Sequence, residues 1–421
     1  MNSGYAEAAV DRYEVAAVLE AEGVTDVTAR ERHHAEDVFD LADRLFRQTP
    51  RRPQPNRPVV NPWRATPVTH VLRGVLFGLP ALSYLAVADR ITGPGPAVLL
   101  VVSVLLSWAA GQGLAYLGHS RLGRNDRAGA AAVLSGATVA VALPAVAVVA
   151  GLGFALGVPF VVTLIAAGQL TYVLAATVAL LLGREWWLLA ALVLGAGAGL
   201  LTPVAAAAGV VAAIAVAGWA VRGVRPALPA RDELVAALPA VAFGVVVGGL
   251  LILTPALRAL DPRPGPGASV GAALAVLLPL SVSMGAAEWL LFGYRAATHR
   301  AMAESRNFRA FRRRASKALL RATAGYVAVL AALLVAGIAV TRELPRVEPV
   351  LIGPALFLAL LLMSFDIRRP VVLAVLGALG VNLALVPLVS LEIAQAVTAT
   401  GLLITLYVFA LRTLRRAQLH L

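Results

Sequence analysis

Between residues 71 and 411 the chain is a succession of continuous apolar runs of 18 to 26 residues, parted by short polar or Pro/Gly-rich breaks. In α-helix, a run of that length spans the ~30 Å hydrocarbon layer of a bilayer at about 1.5 Å per residue. No water reaches that layer to satisfy backbone N–H and C=O groups, so each run is predicted to be a helix. The runs are continuous rather than alternating, which excludes a membrane β-barrel. Composition agrees: of 421 residues, 59% are hydrophobic and 14% charged, whereas a soluble domain carries about a quarter charged residues.

The spans fall at 71–88, 96–118, 128–150, 157–182, 185–202, 204–221, 233–254, 268–293, 321–341, 347–367, 370–390 and 391–411. The reading is therefore an all-α, polytopic membrane protein of about twelve transmembrane helices in two six-helix halves, with a small N-terminal helical domain. The divisions are 1–48 (helical domain), 49–67 (Pro/Arg-rich linker), 68–221 (first lobe), 222–232 (inter-lobe loop), 233–412 (second lobe) and 413–421 (tail). The chain carries a net charge of +13. In a soluble chain that excess would suggest nucleic acid. Here the charges sit in the loops of a hydrophobic chain, so the membrane reading takes precedence and no nucleic-acid partner is expected.

Orientation follows from where the cations fall, because Lys and Arg concentrate on the cytoplasmic side. With the N-terminus inside, the inner segments hold 31 of the 36 basic residues; the outer ones are Arg90, Arg258, Arg263, Arg342 and Arg346. A multi-pass protein of the inner (plasma) membrane with both termini cytoplasmic is expected. The first apolar run begins near Val71, after a polar stretch. A secretory signal would place an apolar core at the very N-terminus, so the first span is expected to stay as an anchor.

In the N-terminal domain, Tyr13, Val15, Ala16, Val18 and Leu19 suit one amphipathic helix ending at Gly23. Thr25 can cap a second helix. Val38, Phe39, Leu41, Ala42, Leu45 and Phe46 form the apolar stripe of a third. About 40 residues make a marginal core, so residues 1–48 are expected to dock on the membrane part or on a cytoplasmic protein partner. The segment 294–321, with nine basic residues against Glu304, reads as a helix on the inner membrane surface. Attraction to anionic membrane lipids explains its charge, and contact with a phosphorylated substrate is the alternative.

Candidate sites are sparse. There is no cysteine, hence no thiolate metal site, and His33 with Asp37 is better read as a solvated helix face than as a metal site. No Walker-type phosphate loop and no Ser/His/Asp arrangement occurs. No catalytic residue, metal or cofactor is assigned, and the chain is not read as an enzyme. The Gly195–Gly199 run lies inside a span with no strand before it, so it reads as helix packing rather than nucleotide binding. The same packing role is given to Gly74/Gly78, Gly153/Gly157 and Gly244/Gly248.

Polar groups within spans are costly and mark function. Arg73 near the inner end of span one and Glu288 in span eight are candidates for a charged cavity. Snorkelling of Glu288 toward Arg295 is the structural alternative for that residue. Pro80 in span one (VLFGLPALSYLAV) and Pro239 in span seven (LVAALPAVAFGVV) stand in matching places, as bend points of two repeated halves.

Twelve spans in two halves with both termini inside resemble the polysaccharide/oligosaccharidyl-lipid branch of the MOP exporter superfamily. Two local stretches carry the resemblance. LGHSRLGRNDRAGA (117–130) is similar to the basic loop with a Gly-Arg-x-Asp pattern after the second span of these flippases. The final hairpin, 376–416, is similar to their closing pair. The resemblance covers about 68–416. It implies a V-shaped cavity lined by spans one, two, seven and eight, and alternating-access export of a lipid-linked oligosaccharide or cell-surface polysaccharide precursor. Arg73 would then contact a lipid-linked pyrophosphate, and Gln112, Tyr116 and Ser281 the sugar. Glu288 departs from the several cavity arginines of lipid-II-type members, which leaves room for a cationic or neutral substrate. The rival reading is a non-transporting membrane scaffold that recruits partners through the N-terminal domain.

Overall fold

The computed structural model describes residues 9, 11–49, 67–78, 84, 88, 90, 91, 93–199, 207–260, 270–305, 307–341 and 348–415. The chain divides into two compact units, Met1–Val60 and Asn61–Leu421, and every described element is helical.

The described residues of the first unit form three short helices, α1 (Arg12–Ala21), α2 (Asp26–His33) and α3 (Val38–Gln48). Each starts on a side chain that accepts the orphan N–H groups of a helix N-terminus. Asp11 accepts from Tyr13 N and Glu14 N at 2.9 Å. Thr25 accepts from Thr28 N at 3.3 Å, and Asp37 from Asp40 N at 2.7 Å. Gly23 takes the left-handed conformation, φ +83°, where α1 stops, as a residue without Cβ can. The core is Val15, Ala16, Leu19, Ala29, Val38, Leu41 and Ala42. Tyr13 and Phe39, read as stripe residues, are 58% and 52% exposed. Phe39 lies about 100° round the helix from the Val38–Leu41–Ala42–Leu45 face, and its ring packs edge-on against Tyr13 at 6.4 Å.

Among its described residues the second unit has twelve α-helices: α4 (Pro67–Gly78), α5 (Pro94–Gly123), α6 (Arg127–Ala155), α7 (Phe160–Leu181), α8 (Glu185–Gly199), α9 (Ala207–Ala220), α10 (Arg231–Leu260), α11 (Val270–Glu304), α12 (Phe308–Thr341), α13 (Glu348–Ser364), α14 (Arg368–Leu385) and α15 (Leu391–Thr413). Eight are long and apolar enough to cross a bilayer, and α8, α9 and α13 are shorter apolar helices. This is a multi-pass membrane protein. Successive helices run in alternate directions, so the start of α4 and the ends of α5, α7, α9, α11, α13 and α15 share one end of the bundle. Most of the cations sit there, and it is called the basic end below.

Two separate apolar cores define two lobes. One joins Leu72, Leu76, Leu134, Val162, Leu170, Leu174 and Leu188 of α4–α8. The other joins Leu250, Leu319, Leu330, Phe357, Leu358, Val375 and Leu406 of α10–α15. The lobes meet along two seams, α4 against α11 and α5 against α10. The first helix of each lobe therefore packs on the second helix of the other.

The 294–321 segment is not a separate surface helix. Helix α11 continues to Glu304 and α12 begins at Phe308, so the cations sit on extensions of two antiparallel helices. Phe311 and Ala315 of α12 are buried with Ala301 of α11, and this small core keeps the extensions helical. Pro239 lies within the continuous helix α10, where it removes one rung of the hydrogen-bond ladder. Pro80 and residues 50–66 of the linker lie outside the described residues.

Candidate functional site: an ion-paired seam

Small residues set the geometry of both seams. Gly74 of α4 faces Gly285 of α11 so closely that a Cβ on Gly285 would stand 2.1 Å from the His70 carbonyl oxygen. A Cβ on Gly74 would stand 2.2 Å from that of Val282. On the other seam, a Cβ on Gly244 of α10 would meet the Trp108 carbonyl oxygen of α5 at 2.5 Å. Only glycine permits such backbone approach between membrane helices. The glycines at 74, 78, 153 and 244 are packing positions, and Gly209 abuts Gly195 in the same way. Gly157 is not a packing position: it sits in the turn after α6 with φ +62° and no neighbour within 4 Å.

The crossing places polar groups one turn from Gly74 and Gly285 against one another. Arg73 donates through Nη1 to Oε1 of Glu288, across the lobes. It also donates to Oε1 of Glu185, from Nη2 at 2.7 Å and Nε at 3.3 Å. His70 Nδ1 lies 3.2 Å from Oε2 of Glu288 without hydrogen-bond geometry, and its ring packs on Phe292 at 5.3 Å. Glu185 and His70 are 11% and 6% exposed at the side chain. Buried charge is tolerated only when paired, and here one guanidinium holds two carboxylates. Glu288 does not pair with Arg295, which instead donates to the Ser364 carbonyl and lies over the Phe365 ring at 4.6 Å.

Two further contacts join the lobes at the basic end. Glu233, in the first turn of α10, accepts from Arg121 Nε of α5 at 2.7 Å and from Arg124 Nη2 at 3.4 Å. Arg368, at the start of α14, lies over the Tyr116 ring of α5 at 4.3 Å, a cation–π geometry. Asp126 in the turn after α5 accepts from Gly129 N at 2.8 Å and from Arg121. The Gly129 N–H first, and then Arg121, hold its carboxyl below its ordinary value.

Of the residues singled out in the sequence, the structure brings Arg73 and Glu288 into direct contact. It places Tyr116 on the second seam. Gln112 is half-buried on α5 and Ser281 half-buried on α11, and neither joins the ion-paired group. The sequence reading missed His70, Glu185, Glu233 and Arg368. His70 carried a signal, since it lies three residues before Arg73 on the same helical face. Glu185 and Glu233 open their helices, where acidic residues commonly favour the helix dipole, and nothing local distinguished them.

No family model matches the sequence, and no curated protein matches it. Among solved structures the chain is similar to a MATE protein crystallised in complex with MaL6, with a TM-score of 0.50 at 14% identity over 85% of this chain and 98% of that one. It is also similar to the outward-facing conformation of a multidrug resistance MATE family transporter of the MOP superfamily, with a TM-score of 0.48 at 15% identity over 87% of this chain and 99% of that one. The first of these likenesses establishes a MATE-like fold for the membrane unit: two six-helix lobes facing each other across a pair of seams.

Proposed function

We propose that this chain is an alternating-access exporter of the MOP type, set in the plasma membrane with both termini cytoplasmic. The observation that carries the proposal is the ion pair between Arg73 and Glu288. It crosses the seam between the two lobes at one end of a MATE-like bundle, which is where such a transporter must open and close. Separate cores let each lobe move as a body, and a few polar contacts give a seam that can break and re-form. The concentration of cations at that end supports its assignment to the cytoplasmic side. The contacts at Glu288, Glu233 and Tyr116 then close the cytoplasmic gate.

The substrate class we propose is a lipid-linked oligosaccharide or polysaccharide precursor. Its pyrophosphate would compete with Glu288 for Arg73, tying substrate binding to opening of the seam. A second reading rests on the two carboxylates that face the one guanidinium, a local excess of negative charge that suits a cationic or neutral amphiphile. The test is a leaflet-resolved measurement of lipid-linked saccharide in cells lacking the protein. Accumulation on the inner leaflet, restored by wild type and not by Arg73→Ala, supports the first reading. Unchanged pools, with cationic amphiphile efflux abolished by Glu288→Gln, support the second. Absence of both transport activities, with a cytoplasmic protein retained through residues 1–48, would leave a membrane scaffold.

A further inference from the structure

Helices α12 and α15 each pack on α13 rather than on each other. Between them, at the basic end, is a groove of about 450 Å³. Its rim carries Arg312, Arg313 and Lys317 of α12 and Arg415 just past α15; its deeper wall is Leu320, Tyr407 and Leu411. We propose that this groove binds the headgroup and upper acyl chain of an anionic glycerophospholipid.

Three observations carry the proposal. The first is a matched gradient of polarity on both walls. Helix α12 runs away from the basic end, so Leu320 lies about one turn deeper than Ser316 and Lys317. Helix α15 runs toward that end, so Leu411 and Tyr407 lie about 6 Å and 12 Å deeper than Arg415 at 1.5 Å rise per residue. Cations over an apolar wall match a phosphodiester over an acyl chain. Leu320 is 57% exposed, so the apolar wall faces the lipid side.

The second is uncompensated charge. At the same end Arg73, Arg121, Arg124, Arg314 and Arg368 each pair with a carboxylate. Among the described residues no carboxylate pairs with Arg312, Arg313, Lys317 or Arg415. Four neighbouring cations repel one another, and an anion between them relieves that repulsion.

The third is a fixed width. Arg415 Nε donates to Ser316 Oγ at 2.8 Å, and Ser316 Oγ donates to the Arg312 carbonyl at 2.8 Å. This bridge ties the two walls together across the groove. A free phosphate ion would use the rim and leave the apolar wall unused, whereas a lipid uses both.

The experiment uses the full chain in phosphatidylcholine nanodiscs titrated with phosphatidylglycerol, with retained lipid counted by native mass spectrometry. Phosphatidylglycerol is expected to be retained at least about tenfold more strongly than phosphatidylcholine, as clustered cations at a membrane surface predict. The variant Arg312→Gln/Arg313→Gln/Lys317→Gln/Arg415→Gln should abolish that preference. A control removing as many exposed cations elsewhere, Arg222→Gln/Arg225→Gln/Arg231→Gln/Arg369→Gln, should keep it. Leu320→Asp, with the rim intact, should weaken retention as well. Equal loss in the control would mean a diffuse surface potential. Displacement of the lipid by millimolar inorganic phosphate would mean a free-anion site. Either result overturns the proposal.

Discussion

Gly74 and Gly285 meet backbone to backbone where α4 crosses α11, and a Cβ on Gly285 would fall 2.1 Å from the His70 carbonyl oxygen. The Arg73–Glu288 ion pair, and the approach of His70 to Glu288, depend on those two residues having no side chain. Gly285→Leu is expected to force the helices apart and break the Arg73–Glu288 contact. The chain has no cysteine, so this can be read directly. A His70→Cys/Glu288→Cys pair, treated with a short homobifunctional thiol cross-linker, reports the helix spacing: it should cross-link readily with glycine at position 285 and poorly with leucine there.

Removing Arg73 leaves two largely buried carboxylates without their cation. Breaking one side of a buried pair costs about 3–5 kcal/mol. Arg73→Ala should fall toward the lower end of that range, because Glu288 is 29% exposed at its side chain. Arg73→Ala/Glu288→Gln should recover part of the loss, with a coupling energy of roughly 1–3 kcal/mol in a double-mutant cycle. Denaturant unfolding of the purified protein measures both, and simple additivity would mean the two residues do not interact.

The second seam is tested by a charge swap. Glu233→Arg places three cations together and is expected to open the basic end. Arg121→Glu/Glu233→Arg should restore closure, with Arg124 then facing the introduced guanidinium and limiting the recovery. A distance between spin labels on the basic ends of α5 and α14 reports the opening: long in the single variant, shorter in the double.

Tyr116 and Arg368 make a partly exposed cation–π contact, worth about 0.5–1 kcal/mol. Tyr116→Leu should therefore leave the fold intact while shifting the lobe equilibrium by about two- to fivefold. Tyr116→Phe, which keeps the ring, should shift it far less. A spin-label distance across the seam separates these outcomes.

In the N-terminal unit, the Glu36 N–H at 3.0 Å and Arg44 hold the Asp40 carboxyl below its ordinary value. A lowered carboxyl pKa contributes stability that is complete above the ordinary value and is lost as pH falls through the lowered one. Hydrogen exchange at the start of α3, corrected for intrinsic rate, should accelerate below about pH 4. Asp40→Asn should be fast already at neutral pH and lose the pH dependence.

The legible and illegible parts of this protein differ in range. Helix α5 was readable because burial in hydrocarbon demands a long apolar run, whatever its neighbours are. The cap at Thr25 was readable because its partner, Thr28 N, lies within three residues, whereas the cap at Asp37, equally local, was passed over because Asp37 was read with His33 as a solvated face. Phe39 was misassigned because periodicity gives a stripe and not its width. The segment 294–321 was misread because its charge is equally compatible with a surface helix and with extended membrane helices. The small core of Ala301, Phe311 and Ala315 decides between them.

The sequence by itself determined the all-helical, multi-pass class, the places of the long apolar helices in the chain, and the charge asymmetry along it. Those properties are set residue by residue, through transfer from water to lipid and the cost of burying charge. Only the tertiary structure decided that Arg73 pairs with Glu185 and Glu288 rather than leaving Glu288 to Arg295. Arg73 is separated from Glu288 by 215 positions, and the contact depends on where two glycines let helices from different lobes cross. Side-chain chemistry makes that pair favourable once formed, and backbone packing determines that it forms.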